Sequence, residues 1–183
     1  MKAVKRIFRY LKGSDDMCLW YPKRAGNDPK AYSDADFAGY LVGRKSTSGI
    51  AHFLGPCLVS WASKKQNSVA LSTTEAEYVS AAACCAQILW IKQQLVDFHI
   101  NITCVPILCD NTSTICISKD PVLHSKTKHI HIRHHFLREH VESGEIELVY
   151  CPTENQLADI LTKPLSRERF EKIRFELGMI RIF

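Results

Sequence analysis

The chain has 183 residues, 46% apolar and 23% charged, a balance that supports a packed core and excludes disordered, collagen-like and mucin-like classes. That length suits one domain of ordinary size with a short appendage. Twenty-four Lys and Arg against 19 Asp and Glu give a formal charge of +5, which favours an anionic partner such as nucleic acid without identifying one.

The eight cysteines, Cys18, Cys57, Cys84, Cys85, Cys104, Cys109, Cys116 and Cys151, contain no C-x-x-C pair, so a zinc ribbon or dithiol redox motif is not expected. Several stand in apolar runs, where cysteine behaves as a small hydrophobe. With no signal peptide ahead of them, they read as reduced thiols of an intracellular protein. The most apolar stretch, residues 79–95, is interrupted by Ser80, Gln87, Lys92, Gln93 and Gln94 and is too polar to span a membrane. A soluble protein of the cytoplasm or nucleus, with no membrane partner, is the expectation.

Residues 1–12 place Val4, Ile7, Phe8 and Leu11 at helical spacing, with Lys2, Lys5, Arg6, Arg9 and Lys12 on the other face and Gly13 as the stop. Such a helix either docks on the body of the protein or contacts a membrane surface or nucleic acid. A turn-rich stretch over 25–29 leads into three predicted strands at 30–37, 49–54 and 58–64, the last two joined by Gly55-Pro56. Ser72 and Thr73 followed by Glu75 signal a helix start, and the Ala-, Leu-, Ile- and Gln-rich run that follows carries the longest helix to Asp97. Next come a strand at 105–109, a short helix at 111–118, a His-rich helix at 128–142 ending near Gly144, and a strand at 145–151. Helices at 155–161 and 167–177 close the chain, with Pro164 between them and Gly178 ending the second. Three hairpin-linked strands must be antiparallel neighbours, whereas strands separated by helices return parallel. The expected fold is therefore α/β, with one five-stranded mixed sheet, three antiparallel strands then two parallel, and helices on its faces.

Acidic residues stand at the ends of these elements: Asp34, Glu77, Asp110 and Asp159. Asp34 and Asp36 share a face of one strand, where two like charges repel unless a cation lies between them. Asp110 follows the strand 105–109 at its carboxyl end, where ligand sites form in sheets of this kind. Carboxylates without zinc-type His or Cys spacing suit a hard, oxygen-preferring ion such as Mg²⁺. Any one of these acids alone is more often a turn former or a solvated charge.

Taken together, the motifs resemble a known family. Tyr32-Ser-Asp-Ala-Asp-Phe-Ala-Gly39, Lys45-Ser-Thr-Ser-Gly49, Trp61-Ala-Ser-Lys-Lys-Gln66, Leu71-Ser-Thr-Thr-Glu-Ala-Glu-Tyr78, Cys109-Asp-Asn111, Thr127-Lys-His-Ile130 and Leu157-Ala-Asp-Ile-Leu-Thr-Lys163 resemble the ribonuclease H domain ending the Pol polyprotein of copia-type, plant-like retrotransposons. The resemblance implies a ribonuclease H-like fold over residues 28–163. Residues 1–24 would be the tail of the reverse transcriptase region, and 164–183 a C-terminal helical tail. It implies four carboxylates, Asp34, Glu77, Asp110 and Asp159, holding two Mg²⁺ ions, with Mn²⁺ as the substitute. Asp36 is the rival of Asp34, which is preferred because Tyr-Ser-Asp stands where the family has aromatic-Thr-Asp. Glu75 and Glu77 differ by about 200° around a helix, so only one can enter the site, and the family register selects Glu77.

The implied activity is hydrolysis of the RNA strand of an RNA–DNA hybrid during reverse transcription. The implied partner is the reverse transcriptase domain of the same polyprotein. The implied location is the cytoplasm, including virus-like particles, with the nucleus as the alternative. Arg44, Lys45, Lys64 and Lys65 flank the first three strands and are candidate phosphate contacts. In cellular relatives a flexible histidine assists product release; His124 is the candidate here and His129 its rival. His131 and His135 stand i, i+4 on a helix, but no third zinc ligand accompanies them. Two other functions compete: a catalytically silent nucleic-acid-binding remnant of the same domain, and an integrase-type strand transferase. The second is disfavoured because Glu77 precedes Asp110, whereas integrases use two Asp followed by a late Glu.

Overall fold

The computed structural model describes residues 1–23, 26–40, 42–119 and 131–182. Helix α1 (Lys2–Lys12) ends at Gly13, whose N–H reaches the carbonyls of Arg9 and Tyr10 at 3.1 Å. Its apolar stripe stays largely exposed, with Phe8 66% and Ile7 58% accessible, so it is not buried as an ordinary docked helix would be. Strand β1 (Met17–Leu19) follows, and three long strands succeed it: β2 (Pro29–Tyr40), β3 (Lys45–Leu54) and β4 (Cys57–Lys65). They pair antiparallel in sequence order. β2 and β3 extend beyond the ranges expected from pattern because the polar run Lys45-Ser-Thr-Ser lacks apolar alternation; pairing such as Asp36 with Thr47 carries it into the sheet.

Helix α2 (Thr73–Asp97) spans 25 residues and starts with a capping arrangement. The Ser72 hydroxyl accepts from the Glu75 N–H at 3.1 Å, and the Glu75 carboxylate accepts from the Leu71 N–H at 2.7 Å. Strand β5 (Val105–Cys109), helix α3 (Thr112–Lys119), helix α4 (His131–Glu142) and strand β6 (Ile146–Tyr150) come next. β5 lies parallel to β2 and β6 parallel to β5, so the sheet order is β4-β3-β2-β5-β6, the mixed arrangement expected.

The helix expected at 155–161 is instead two 3-10 segments, Thr153–Asn155 and Leu157–Leu161. Gln156 stands extended between them, fully buried, and its amide donates to the carbonyls of Ser33 at 2.9 Å and Leu108 at 3.4 Å. That tie to the sheet breaks any continuous helix. Helix α5 (Arg167–Glu176) and strand β7 (Met179–Arg181) complete the chain. β7 pairs antiparallel with β1, a second sheet of three-residue strands too short to leave a periodic signature. Arg181 reinforces it by pairing with Asp16 at 2.6 Å. This pairing joins residues 17–19 to residues 179–181.

The sheet has a core on each face because strand side chains alternate. Ala31, Ile107 and Leu148 pack under α2 with Tyr78, Ala81, Ile88 and Leu137. Tyr32, Ala51 and Phe53 point the other way, against Leu157, Ala158, Ile173 and Leu177. All eight cysteines are free, and no helix among the described residues is long and apolar enough to cross a membrane.

Candidate active site

The parallel register of β2 and β5 matches Tyr32 with Leu108, so Asp34, two residues on, comes level with Asp110 just beyond the end of β5. Asp34 is 1% exposed on the sheet face that carries the 3-10 segment Leu157–Leu161. Its rival Asp36 is half-buried ahead of a bulge, and its carboxylate folds into the space beside Gly39 that a Cβ there would fill. The structure thus gives the two acids different surroundings despite their shared face.

Glu77 lies in α2, 6% exposed, and its Oε1 accepts from the Ala35 N–H at 3.1 Å. Its Oε2 is buried with no hydrogen-bond partner among the described residues. Glu75 is committed to the helix start, so the two glutamates divide as their angular separation requires. Burial, followed by the charge of Asp34, pushes the Glu77 carboxyl up to about 9. Burial likewise raises Asp34 to about 6, against the lowering influence of the Thr162 hydroxyl and the Lys163 ammonium. Asp110 is half-buried and accepts a 2.8 Å hydrogen bond from the Thr153 hydroxyl.

Asp159 is fully buried and reaches the same site, but both its oxygens are engaged. Lys163 Nζ lies 2.8 Å from Oδ1, and the Arg169 guanidinium pairs with Oδ2. The same Lys163 ammonium lies 3.6 Å from Asp34 Oδ1, while the Thr162 hydroxyl donates to Asp34 Oδ2. Glu77 and Asp110 therefore bring carboxylate oxygens together, Asp34 stands level with Asp110 but is already engaged by Thr162 and Lys163, and the fourth acid arrives paired with two cations.

Asp34, Glu77 and Asp110 fit a hard divalent cation. Ligand atoms of Glu77, Asp110 and Cys109 lie within 4.8 Å of one another. Burial, ahead of the charge of Glu77, pushes the Cys109 thiol up to about 12, so it stays protonated and the usable donors are oxygens. The unpartnered Glu77 Oε2 is the atom such an ion would satisfy. Asp159, paired as it is with two cations, does not fit as a free ligand.

Arg44, Lys45, Lys64 and Lys65 gather at the same end of the sheet, where Lys64 pairs with Ser48, Lys65 with Thr47 and Lys45 with Tyr40. Arg44, Lys64 and Lys65 are exposed, and Lys65 Nζ stands 3.3 Å from the centroid of the Tyr40 ring. His124, its rival His129 and the motif 127–130 lie outside the described residues, as do the side chains of His131 and His134. Sequence reasoning missed Thr153, Thr162, Lys163 and Arg169. Thr162 and Lys163 were within reach, since they end the same motif that singles out Asp159; Arg169, ten residues on and past Pro164, left no local signal.

No protein-family model matches the chain. It is 42% identical over 183 residues to the retrovirus-related Pol polyprotein from transposon RE1 of Arabidopsis thaliana, covering 100% of this chain and 12% of that protein. It is 39% identical over 180 residues to the retrovirus-related Pol polyprotein from transposon TNT 1-94 of Nicotiana tabacum, covering 97% of this chain and 13% of that protein. The chain thus spans about an eighth of the length of these relatives. Among solved structures, LC11-RNase H1 isolated from compost superposes with a TM-score of 0.54 at 19% identity, over 80% of this chain and 97% of that one. The foamy viral protease-reverse transcriptase in complex with an RNA/DNA hybrid gives 0.54 at 17% identity, over 78% and 21%. These likenesses show a ribonuclease H fold.

Proposed function

We propose that this chain, a member of the retrovirus-related Pol polyproteins with the ribonuclease H fold, hydrolyses the RNA strand of RNA–DNA hybrids during reverse transcription. The observation that carries this is the placement of Asp34, Glu77 and Asp110 around the carboxyl end of β5, with ligand atoms of Glu77 and Asp110 within 4.8 Å of one another and one buried Glu77 oxygen unpartnered among the described residues. These residues would hold Mg²⁺ or Mn²⁺. When bound, such a cation activates water and neutralises the charge that develops on a phosphodiester.

The protein's own groups orient that set. The Ala35 N–H fixes one oxygen of Glu77, the Thr153 hydroxyl fixes Asp110, and the Thr162 hydroxyl fixes Asp34. Asp159 is the fourth acid of the set that holds two ions in the reading of the motifs, and its engagement by Lys163 and Arg169 bears on how a second ion is taken up. Arg44, Lys45, Lys64 and Lys65 line the rim at the same sheet end and hold the phosphates of the hybrid. Discrimination against duplex DNA comes from the hybrid's shape and the 2′-hydroxyls of its RNA strand. The polymerase portion of the same polyprotein supplies further affinity for the substrate.

The test is cleavage of an RNA strand labelled within an RNA–DNA hybrid, with Mg²⁺ or Mn²⁺, beside the Asp110→Asn variant and duplex DNA. Metal-dependent cutting of the hybrid alone, lost in the variant, is the expected result. A folded protein that cuts nothing, even with the polymerase portion added, would make the chain a silent nucleic-acid binder instead.

A further inference from the structure

The acidic site already contains a cation of the chain's own. Lys163 Nζ stands 2.8 Å from Asp159 Oδ1 and 3.6 Å from Asp34 Oδ1, so one ammonium faces two buried carboxylates from the space between them. Asp159 and Asp34 are 0% and 1% exposed, while the lysine side chain keeps 33% of its surface in solvent. Arg169 occupies the other oxygen of Asp159, and Thr162 the other oxygen of Asp34. Among the described residues, Glu77 Oε2 has no hydrogen-bond partner and Asp110 accepts from the neutral Thr153 hydroxyl. The site is therefore lopsided: two cations pair with Asp159, and among the described residues none pairs with Glu77 or Asp110.

We propose that the Lys163 ammonium is a resident cation of the site, holding the place between Asp34 and Asp159 so that the free protein binds one divalent ion, on Asp34, Glu77 and Asp110, and a second only when Lys163 withdraws. A divalent ion held by both Asp34 and Asp159 would compete for the space the ammonium fills, and two cations that close repel strongly in a poorly solvated site. Lysine suits the role because its charge is compact and its stem flexible, with a third of the side chain already facing water. Arg169 has a rigid, planar head and keeps Asp159 oriented throughout. The alternative is that Lys163 merely pins the 3-10 segment to the sheet, in which case its removal weakens the fold without changing how many ions bind.

This inference rests on the reading of the carboxylates as a divalent-cation site, and ion binding without nucleic acid tests it separately from cleavage. Mn²⁺ bound per chain is counted by electron paramagnetic resonance of the free ion for the full chain and for Lys163→Met and Lys163→Arg, with circular dichroism as the check on folding. One ion on the unsubstituted protein and on Lys163→Arg, against two on Lys163→Met or a second site tightened at least tenfold, is the expected result. Two ions of similar affinity on the unsubstituted protein overturn the proposal, as does an unchanged count of one in a folded Lys163→Met, or no binding at all. Should Lys163→Met fail to fold, the unsubstituted count decides: one upholds, two overturns. A chain that shows the shift from one ion to two yet cuts no hybrid, even with the polymerase portion added, sinks the nuclease reading and leaves the lysine's role standing.

Discussion

Gly49 is where a single added methyl group tests how the site is assembled. It pairs with Asp34 across β2 and β3, and a Cβ at this position would lie 2.5 Å from Thr162 Cγ2, 2.8 Å from the Ala158 carbonyl oxygen and 3.1 Å from Leu161 Cβ. Backbone strain is not involved, because Gly49 is not among the residues with positive φ. Restoring ordinary separations of about 3.5 to 4.0 Å requires the 3-10 segment Leu157–Leu161 to retreat by roughly 1 Å. Overpacking of this kind costs about 1–3 kcal/mol, which for a chain of this length lowers Tm by roughly 3–10 °C. The same retreat pulls Thr162 off Asp34, and a displacement near 1 Å at a reacting centre costs on the order of 100-fold in rate. Thermal unfolding of Gly49→Ala and its rate of hybrid cleavage measure both effects. A Tm and a rate that match the unsubstituted protein would refute the close approach of this segment to β3.

Two further outcomes follow from the core and from Glu77. Ile88, on α2 itself, is fully buried in the core between that helix and the sheet, and Ile88→Ala should lose roughly 2–5 kcal/mol in denaturant unfolding, a loss below about 1 kcal/mol contradicting its central place in that core. In chelator, the folded protein keeps a proton on Glu77 up to about 9, whereas the unfolded chain releases it near the ordinary value of 4.5, so stability attributable to this group falls as pH rises between those limits. The Tm of the unsubstituted protein should therefore drop relative to Glu77→Gln as pH climbs from about 5 toward 9, and Mg²⁺ should reduce the gap; a gap that closes with rising pH in chelator would contradict the burial of an uncompensated carboxylate.

The elements legible in the sequence were those with a local cause. The capping arrangement at Ser72 and Glu75, the Ala-rich run of α2 without Gly or Pro, the Gly55-Pro56 turn and the apolar run of β5 each depend on neighbours a few residues away. The mixed sheet followed from connectivity alone, since hairpins force antiparallel pairing and helical crossovers return strands in parallel. Asp34, Glu77, Asp110 and Asp159 were nameable because each sits in a recognisable motif.

What only the tertiary structure decided is the company those residues keep. The engagement of Asp159 by Arg169, the hydrogen bond between Asp34 and Thr162 across 128 residues, and the pairing of β1 with β7 join chain segments whose separation leaves no pattern for periodicity to register. The break of the expected helix at Gln156 likewise depends on Ser33 and Leu108, two carbonyls on distant strands. Side-chain type and spacing fix which groups are present and which face they occupy. Whether a buried carboxylate meets a cation, a hydroxyl or nothing depends on which distant segments pack against it, and that is a property of the folded chain alone.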